Sequence, residues 1–444
     1  MGELKRDRGS PPWPPVLLLA LAHMMAFVDR FALSVVAAPV KTAFGLNDTR
    51  LGALQGLAFA LPYAVTVIPF GRLVDRTGPR VLILAGLLLW TCASAGCAFA
   101  QSYDQAFACR MLMGVGQAAF TPAALALIGA LFERGTVASP LSVFTAGSTM
   151  GKSVALLMGG AALAILSVGG GAHLVASIGA ASWRGVFVLT AAPNLLLFAA
   201  LLWTIRKTAG TATEQTSAPA FGWLVGRAGA FFGHAAVAIA PLILIQAAAA
   251  WTPLFYMRYF HLTAVRSALL VGSVVLLAAP TGHLIGGRLT ARLARRGVAP
   301  GLIIAAMLAI VAPTAAMFCF APALNLSLAA YGVMVLTLGV AAPAGLAGIH
   351  ALTPRRRLGA GNGLFMCLVT LVGVGFAPTL VGAMNDSWYG GAAGLNLSLM
   401  TLVLFVAVPG IGLAIALNSR WKSGEAPKGS QRRDDMARSQ ALAD

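Results

Sequence analysis

Charge is scarce in this sequence. Asp, Glu, Lys and Arg together make up 10% of 444 residues, against roughly 25% in an ordinary soluble domain, and that deficit excludes a soluble globular enzyme. Acids are scarcest, thirteen against thirty-one Lys and Arg. The five cysteines all lie in apolar stretches without metal-ligand spacing, which excludes a disulfide framework and a thiolate metal site and leaves buried thiols. There is no HExxH, no GxSxG and no carboxylate pair inside an apolar run, so a membrane-embedded enzyme lacks the groups it would normally need. Polar tails too short for an output domain argue in the same way against a sensor. What remains is 59% apolar residues with fifty glycines. At about 20 residues per crossing, a dozen crossings use roughly 240 residues and leave short loops and two tails.

The apolar runs are placed near 16–38, 51–71, 80–100, 104–130, 140–166, 184–205, 230–257, 268–290, 299–321, 325–349, 359–382 and 392–418. The first contains Asp29-Arg30, which a cleavable signal would not normally carry, so it is read as a retained helix. Basic clusters such as Arg72/Arg76/Arg80, Arg288/Arg292/Arg295/Arg296 and Arg355/Arg356/Arg357 fall in alternate connections, as expected for cytoplasmic loops. That placement assigns the positive charge to a membrane rather than to nucleic acid. An even number of crossings with basic tails puts both termini in the cytoplasm of an inner (plasma) membrane protein. The expected organisation is an N-tail over 1–15, a six-helix half over 16–205, a linker over 206–229, a second half over 230–418 and a disordered tail over 419–444.

A repeat crosses the linker: Gly71-Arg72-Leu73-Val74-Asp75-Arg76 is echoed by Gly287-Arg288-Leu289-Thr290-Ala291-Arg292, with Ala291 in place of Asp75. The fold expected is all-α, twelve transmembrane helices in two pseudo-symmetric halves, with binding at their interface near the bilayer midplane.

The run from Gly71 to Arg80 (GRLVDRTGPR) resembles the loop signature of the major facilitator superfamily. Phe27-Val28-Asp29-Arg30-Phe31, Leu54-Gln55-Gly56-Leu57-Ala58-Phe59-Ala60, Arg110-Met111-Leu112-Met113-Gly114-Val115-Gly116, Trp183-Arg184-Gly185-Val186-Phe187 and Gly375-Phe376-Ala377-Pro378-Thr379-Leu380-Val381-Gly382 resemble its Spinster-like branch. The Asp-Arg of the first helix and the Arg/Gly pattern of the fourth also resemble anion:cation symporters. The resemblance implies alternating access, with Asp29 and Arg110 facing the substrate and Gly71, Asp75, Arg76, Gly78 and Arg80 forming a conformational latch. The branch usually carries a glutamate where this chain has Gln117, which makes an uncoupled facilitator or exchanger the alternative to a proton symporter.

From the residues alone, Asp29 is the one acid well inside an apolar run, and a charge at the centre of a membrane helix costs about 2.5–3.5 kcal/mol on the insertion scale and marks function by default. Arg110, Gly114, Gln117 and Thr121 recur at helical spacing and share a face. The Arg110 guanidinium is expected to pair with Asp29 or, otherwise, with an anionic substrate; a purely structural pair is the alternative. Arg30, about 100° round the helix, is expected to face elsewhere. Lys152 in the fifth run is a second candidate cation for an anionic solute or amphiphile, or else a snorkelling lysine. Residues 146–153 fit a relaxed phosphate-loop pattern but lie in an apolar run, where no phosphate cradle forms. His283, Gln246, Trp251 and Tyr256 are weaker candidates from the second half. No cofactor, metal or nucleic acid is implied; the expected partners are lipid, an anionic substrate and protons, around a monomer.

Overall fold

A computed structural model describes residues 13–132, 136–168, 170–171, 173, 181–205, 224, 226–354, 357–390 and 394–422. Among them are twelve helical spans long and apolar enough to cross a membrane. They fall into two compact units, one from Met1–Phe44 and Ala58–Thr216, the other from Gly45–Leu57 and Ser217–Asp444.

The first unit is built from α1 (Trp13–Val35), α2 (Ala37–Ala43), α4 (Leu57–Thr77), α5 (Pro79–Phe99), α6 (Tyr103–Leu131), α7 (Ala138–Ser167) and α8 (Ser182–Ile205). Helix α1 lies along α7 and α8 and also touches α5 and α6, so more than one of its sides faces protein. Apolar helices in lipid gain nothing from hydrophobic contact with one another, so close van der Waals packing and interhelical hydrogen bonds hold them together. Gly86 on α5 and Gly116 on α6 each face the other's backbone so closely that a Cβ at either would collide with it.

The second unit is built from α3 (Asp48–Gln55), α9 (Ala228–Tyr259), α10 (Ala264–Arg295), α11 (Pro300–Phe320), α12 (Leu324–Leu352), α13 (Leu358–Leu368), a π-helical stretch (Val369–Phe376), α14 (Ala377–Trp388) and α15 (Leu395–Lys422). Helix α12 packs on α9, α10 and α11, while α15 packs on α9 and α11.

Three local features differ from the sequence expectations. The second crossing is not one helix: it breaks at Gly56, and its first piece α3 docks on α14. Asn47 caps α3, its side chain accepting from the Arg50 N–H at 2.8 Å, and Gly56 lies against the carbonyls of Val374 and Gly375, where a Cβ has no room. Gly71–Arg76 and its echo at Gly287–Arg292 are not loops but the closing turns of α4 and α10, because nothing stops either helix before Gly78 (φ 78°) and Gly297 (φ 74°). The eleventh crossing runs on to Trp388 and has the π-helical stretch at its centre.

Candidate functional site

Asp29 is fully buried in the first unit. Its carboxylate is taken by neutral donors: Ser94 Oγ of α5 gives to Oδ1 at 2.9 Å and Asn194 Nδ2 of α8 gives to Oδ2 at 2.6 Å. The expected ion pair with Arg110 is therefore replaced. Arg110, itself buried, donates through Nη1 to the Asp29 main-chain carbonyl at 3.5 Å and touches Met113 Sδ at 3.5 Å. The positive charge still lies near the acid, but hydrogen bonds rather than a clasp hold the carboxylate.

Arg30 does not face away from the site. One residue round α1 it turns from the α5/α8 side to α6, where Nη2 donates to Gln117 Oε1 at 2.7 Å. Its guanidinium carbon lies 4.5 Å from the Phe27 ring centre and 4.0 Å from that of Phe59; such stacking favours a cation where water is excluded. Arg30 Nε is buried without a partner, and among the described residues Arg30 makes no ion pair. On α6, Gln117 holds the arrangement from below, its Nε2 donating to the Ala26 carbonyl at 2.8 Å. Gly114 passes the Phe59 carbonyl of α4 with no space for a Cβ.

Thr121 turns inward to its own helix, donating to the Gln117 carbonyl at 3.1 Å. Lys152 on α7 places Nζ 5.5 Å from the centre of the Phe31 ring, so it joins the aromatic side of α1 rather than snorkelling from a helix end. Residues 146–153 are ordinary turns of α7. At the start of α8, Arg184 Nη1 reaches the carbonyls of Ala98 and Ala100 at 2.7 Å each.

Of the sequence-predicted latch, Gly71, Arg76 and Gly78 close α4 and Arg80 opens α5. Asp75 is on the α4 backbone, with its side chain outside the described residues.

The second-half candidates all lie in the second unit. Trp251 is buried and donates Nε1 to the Pro378 carbonyl at 2.9 Å. Buried Tyr256 stands among Phe255, Phe318 and Tyr331 and bonds Ser327 Oγ at 3.2 Å. His283 engages the Ala279 carbonyl of its own helix at 2.8 Å, and Gln246 is buried on α9.

Sequence reasoning missed a polar cluster in the second unit. Asp48 at the head of α3 is fully buried and accepts two bonds from Arg258 at 2.7 Å and another from Asn385 Nδ2. Asp386 takes the Asp48 and Thr49 N–H groups at 3.2 and 2.7 Å. The signal available was only an acid at a helix start, which is common.

Twelve spans in two helical units, with a caged acid and a stacked cation on one central helix, define a polytopic carrier. The profile of the Major Facilitator Superfamily matches residues 19–316, and the chain belongs to that family; it is a transporter, not an enzyme. It is 28% identical over 421 residues to an MFS-type efflux pump of Mycolicibacterium smegmatis, covering 91% of this chain and 92% of that protein. It is 29% identical over 173 residues to a probable L-galactonate transporter of Escherichia coli, covering 39% of this chain and 35% of the other. Among solved structures it superposes on a bacterial homologue of the human lysosomal transporter Spinster, in an inward-facing, unoccupied conformation, with a TM-score of 0.82 at 22% identity, over 93% of this chain and 98% of that one.

Proposed function

We propose that the protein is a proton-coupled carrier of small organic anions, working by alternating access in an inner membrane with both termini cytoplasmic. The observation that carries this reading is the separation of acid and cation on α1. Asp29 is held by neutral donors, while Arg30 is stacked between rings with a guanidinium nitrogen unpartnered. A pair clasped together would have to be broken before either group could act; here the two are already apart. Arg30, oriented by Gln117 and seconded by Lys152, anchors the anionic group of the substrate, and Asp29 takes and releases the proton. Arg110 supplies positive charge near Asp29 and steadies the α1 backbone. The turn at Gly78, with Gly71, Asp75, Arg76 and Arg80, acts as the latch. A sugar-acid substrate is supported by the similarity to a protein named as a probable L-galactonate transporter.

The test is uptake into proteoliposomes with an imposed pH gradient, using labelled L-galactonate first and then other organic anions. Asp29→Asn is expected to lose gradient-driven accumulation while keeping exchange of internal for external substrate. Wild-type uptake that ignores the gradient would make the protein an uncoupled facilitator instead.

A further inference from the structure

The cage around Asp29 has an unused half. Asn194 is fully buried, its Nδ2 spent on Asp29 Oδ2, and its Oδ1 has no hydrogen-bond partner. A buried amide oxygen without a donor is an unfavourable arrangement in a low-dielectric interior. The other groups round the carboxylate are donors as they stand, and none of them is on Oδ2. Ser94 donates to Oδ1, and the indole Nε1 of buried Trp90, which lies towards the carboxylate, can only donate. The charged or titratable neighbours are Arg110 on α6 and Cys97 on α5, with Arg30 next in the chain; Lys152, from α7, sits over the Phe31 ring instead. From α8 the neighbour is the neutral Asn194.

We propose that Asn194 is the positioning residue that reads the protonation state of Asp29 by turning its amide over. With Asp29 charged, Nδ2 donates and Oδ1 is idle. When a proton adds to Oδ2, the carboxyl becomes a donor there and the Nδ2–H bond to it is lost. A half-turn about Cβ–Cγ exchanges the two ends of the amide, so that Oδ1 accepts the new O–H where Nδ2 had been. One proton is gained by the carboxyl, one N–H···O bond is replaced by one O–H···O bond, and no covalent bond in Asn194 changes. Asp29 thus remains held in both states, and the proton's arrival is registered by α8, next to Pro193 within that helix.

This rests on Asp29 being the proton carrier, and the test separates the two ideas without needing a substrate. The full-length purified protein is titrated with pH and followed by infrared difference spectroscopy in the carboxylic C=O region, the Asp29 band being identified by its loss in Asp29→Asn. Expected is an Asp29 band that shifts to higher frequency in Asn194→Leu, because the carboxyl has lost the amide acceptor. A purely structural Asn194, donating to the carboxylate alone, would leave the frequency of the protonated band where it was, and that result overturns the proposal. If Asn194→Leu does not fold, deuterium exchange in the wild type gives the same answer. A carboxyl O–H bonded to an amide oxygen shows the large isotope shift of a strong hydrogen bond, whereas a small shift overturns the proposal. Absence of any Asp29 band across the titration would instead remove the proton-carrier reading, and this inference with it.

Discussion

Arg258 clasps Asp48 with both arms of its guanidinium, two N–H groups meeting the two carboxylate oxygens at 2.7 Å each. Asp48 is wholly buried and the Arg258 side chain is 15% exposed. Two-pronged geometry is what makes a guanidinium–carboxylate pair strong and directional. The pair fixes the head of α3 to the end of α9, and Asp386 completes it by accepting the first N–H groups of α3, a favourable place for a negative charge.

Removing one partner of such a pair strands the other charge. Arg258→Ala is expected to lower folding stability by about 3–5 kcal/mol, because Asp48 stays buried without its cation. The double change Asp48→Asn with Arg258→Gln should lose less, and thermal unfolding of the purified protein in detergent compares the two. A double variant that falls as far as the single one would show that the cluster stabilises by shape rather than by charge.

Ligand binding should separate the two arginines of the first unit. Arg30→Ala is expected to abolish the rise in melting temperature produced by organic anions, since only binding to the folded state raises it, and also to lower the ligand-free melting temperature, because Gln117 Oε1 loses its donor and the Phe27 and Phe59 rings their cation. Arg110→Ala should lower the ligand-free melting temperature too, because its guanidinium lies against the Asp29 carbonyl, but keep the rise produced by organic anions. The opposite pattern would return the anion site to Arg110.

How much of this was legible beforehand follows from what a pattern can carry. Asp29, Gln117 and Lys152 stood out because a polar group in an apolar run is costly. The position of Arg30 is not legible from angle: a rotation of about 100° moves a side chain off a helix's inner face only if the helix has an outer one, and α1 touches α5, α6, α7 and α8. The break at Gly56 and the Asp48–Arg258 pair depend on partners far along the chain, and no local spacing encodes them. Trp251 and Tyr256 are legible as polar-tipped aromatics of an apolar run, but their bonds to the Pro378 carbonyl and Ser327 Oγ are not.

Gly114→Val should prevent assembly of the first unit. Its side chain would enter the Phe59 carbonyl, and backbone cannot retreat as a flexible side chain can. The expected outcome is loss of the monodisperse peak in size-exclusion chromatography, with Gly129→Val as the control, since nothing lies within 4 Å of a Cβ there.

Arg184→Ala should cost about 1–3 kcal/mol by leaving the Ala98 and Ala100 carbonyls without their donor. Arg184→Lys is expected to restore part of this, since one ammonium can still reach a carbonyl. Melting temperatures of the two variants check it, and an alanine variant as stable as wild type would mean that water replaces the guanidinium.

That guanidinium also sets an order of events during synthesis. The turn joining α5 and α6 leaves the ribosome more than eighty residues before Arg184 does, so the hairpin enters the membrane with two carbonyls still seeking a donor. It can insert, but it cannot reach its final form until the sixth crossing arrives. A chain stalled before residue 184 would leave both carbonyls to be met by water alone.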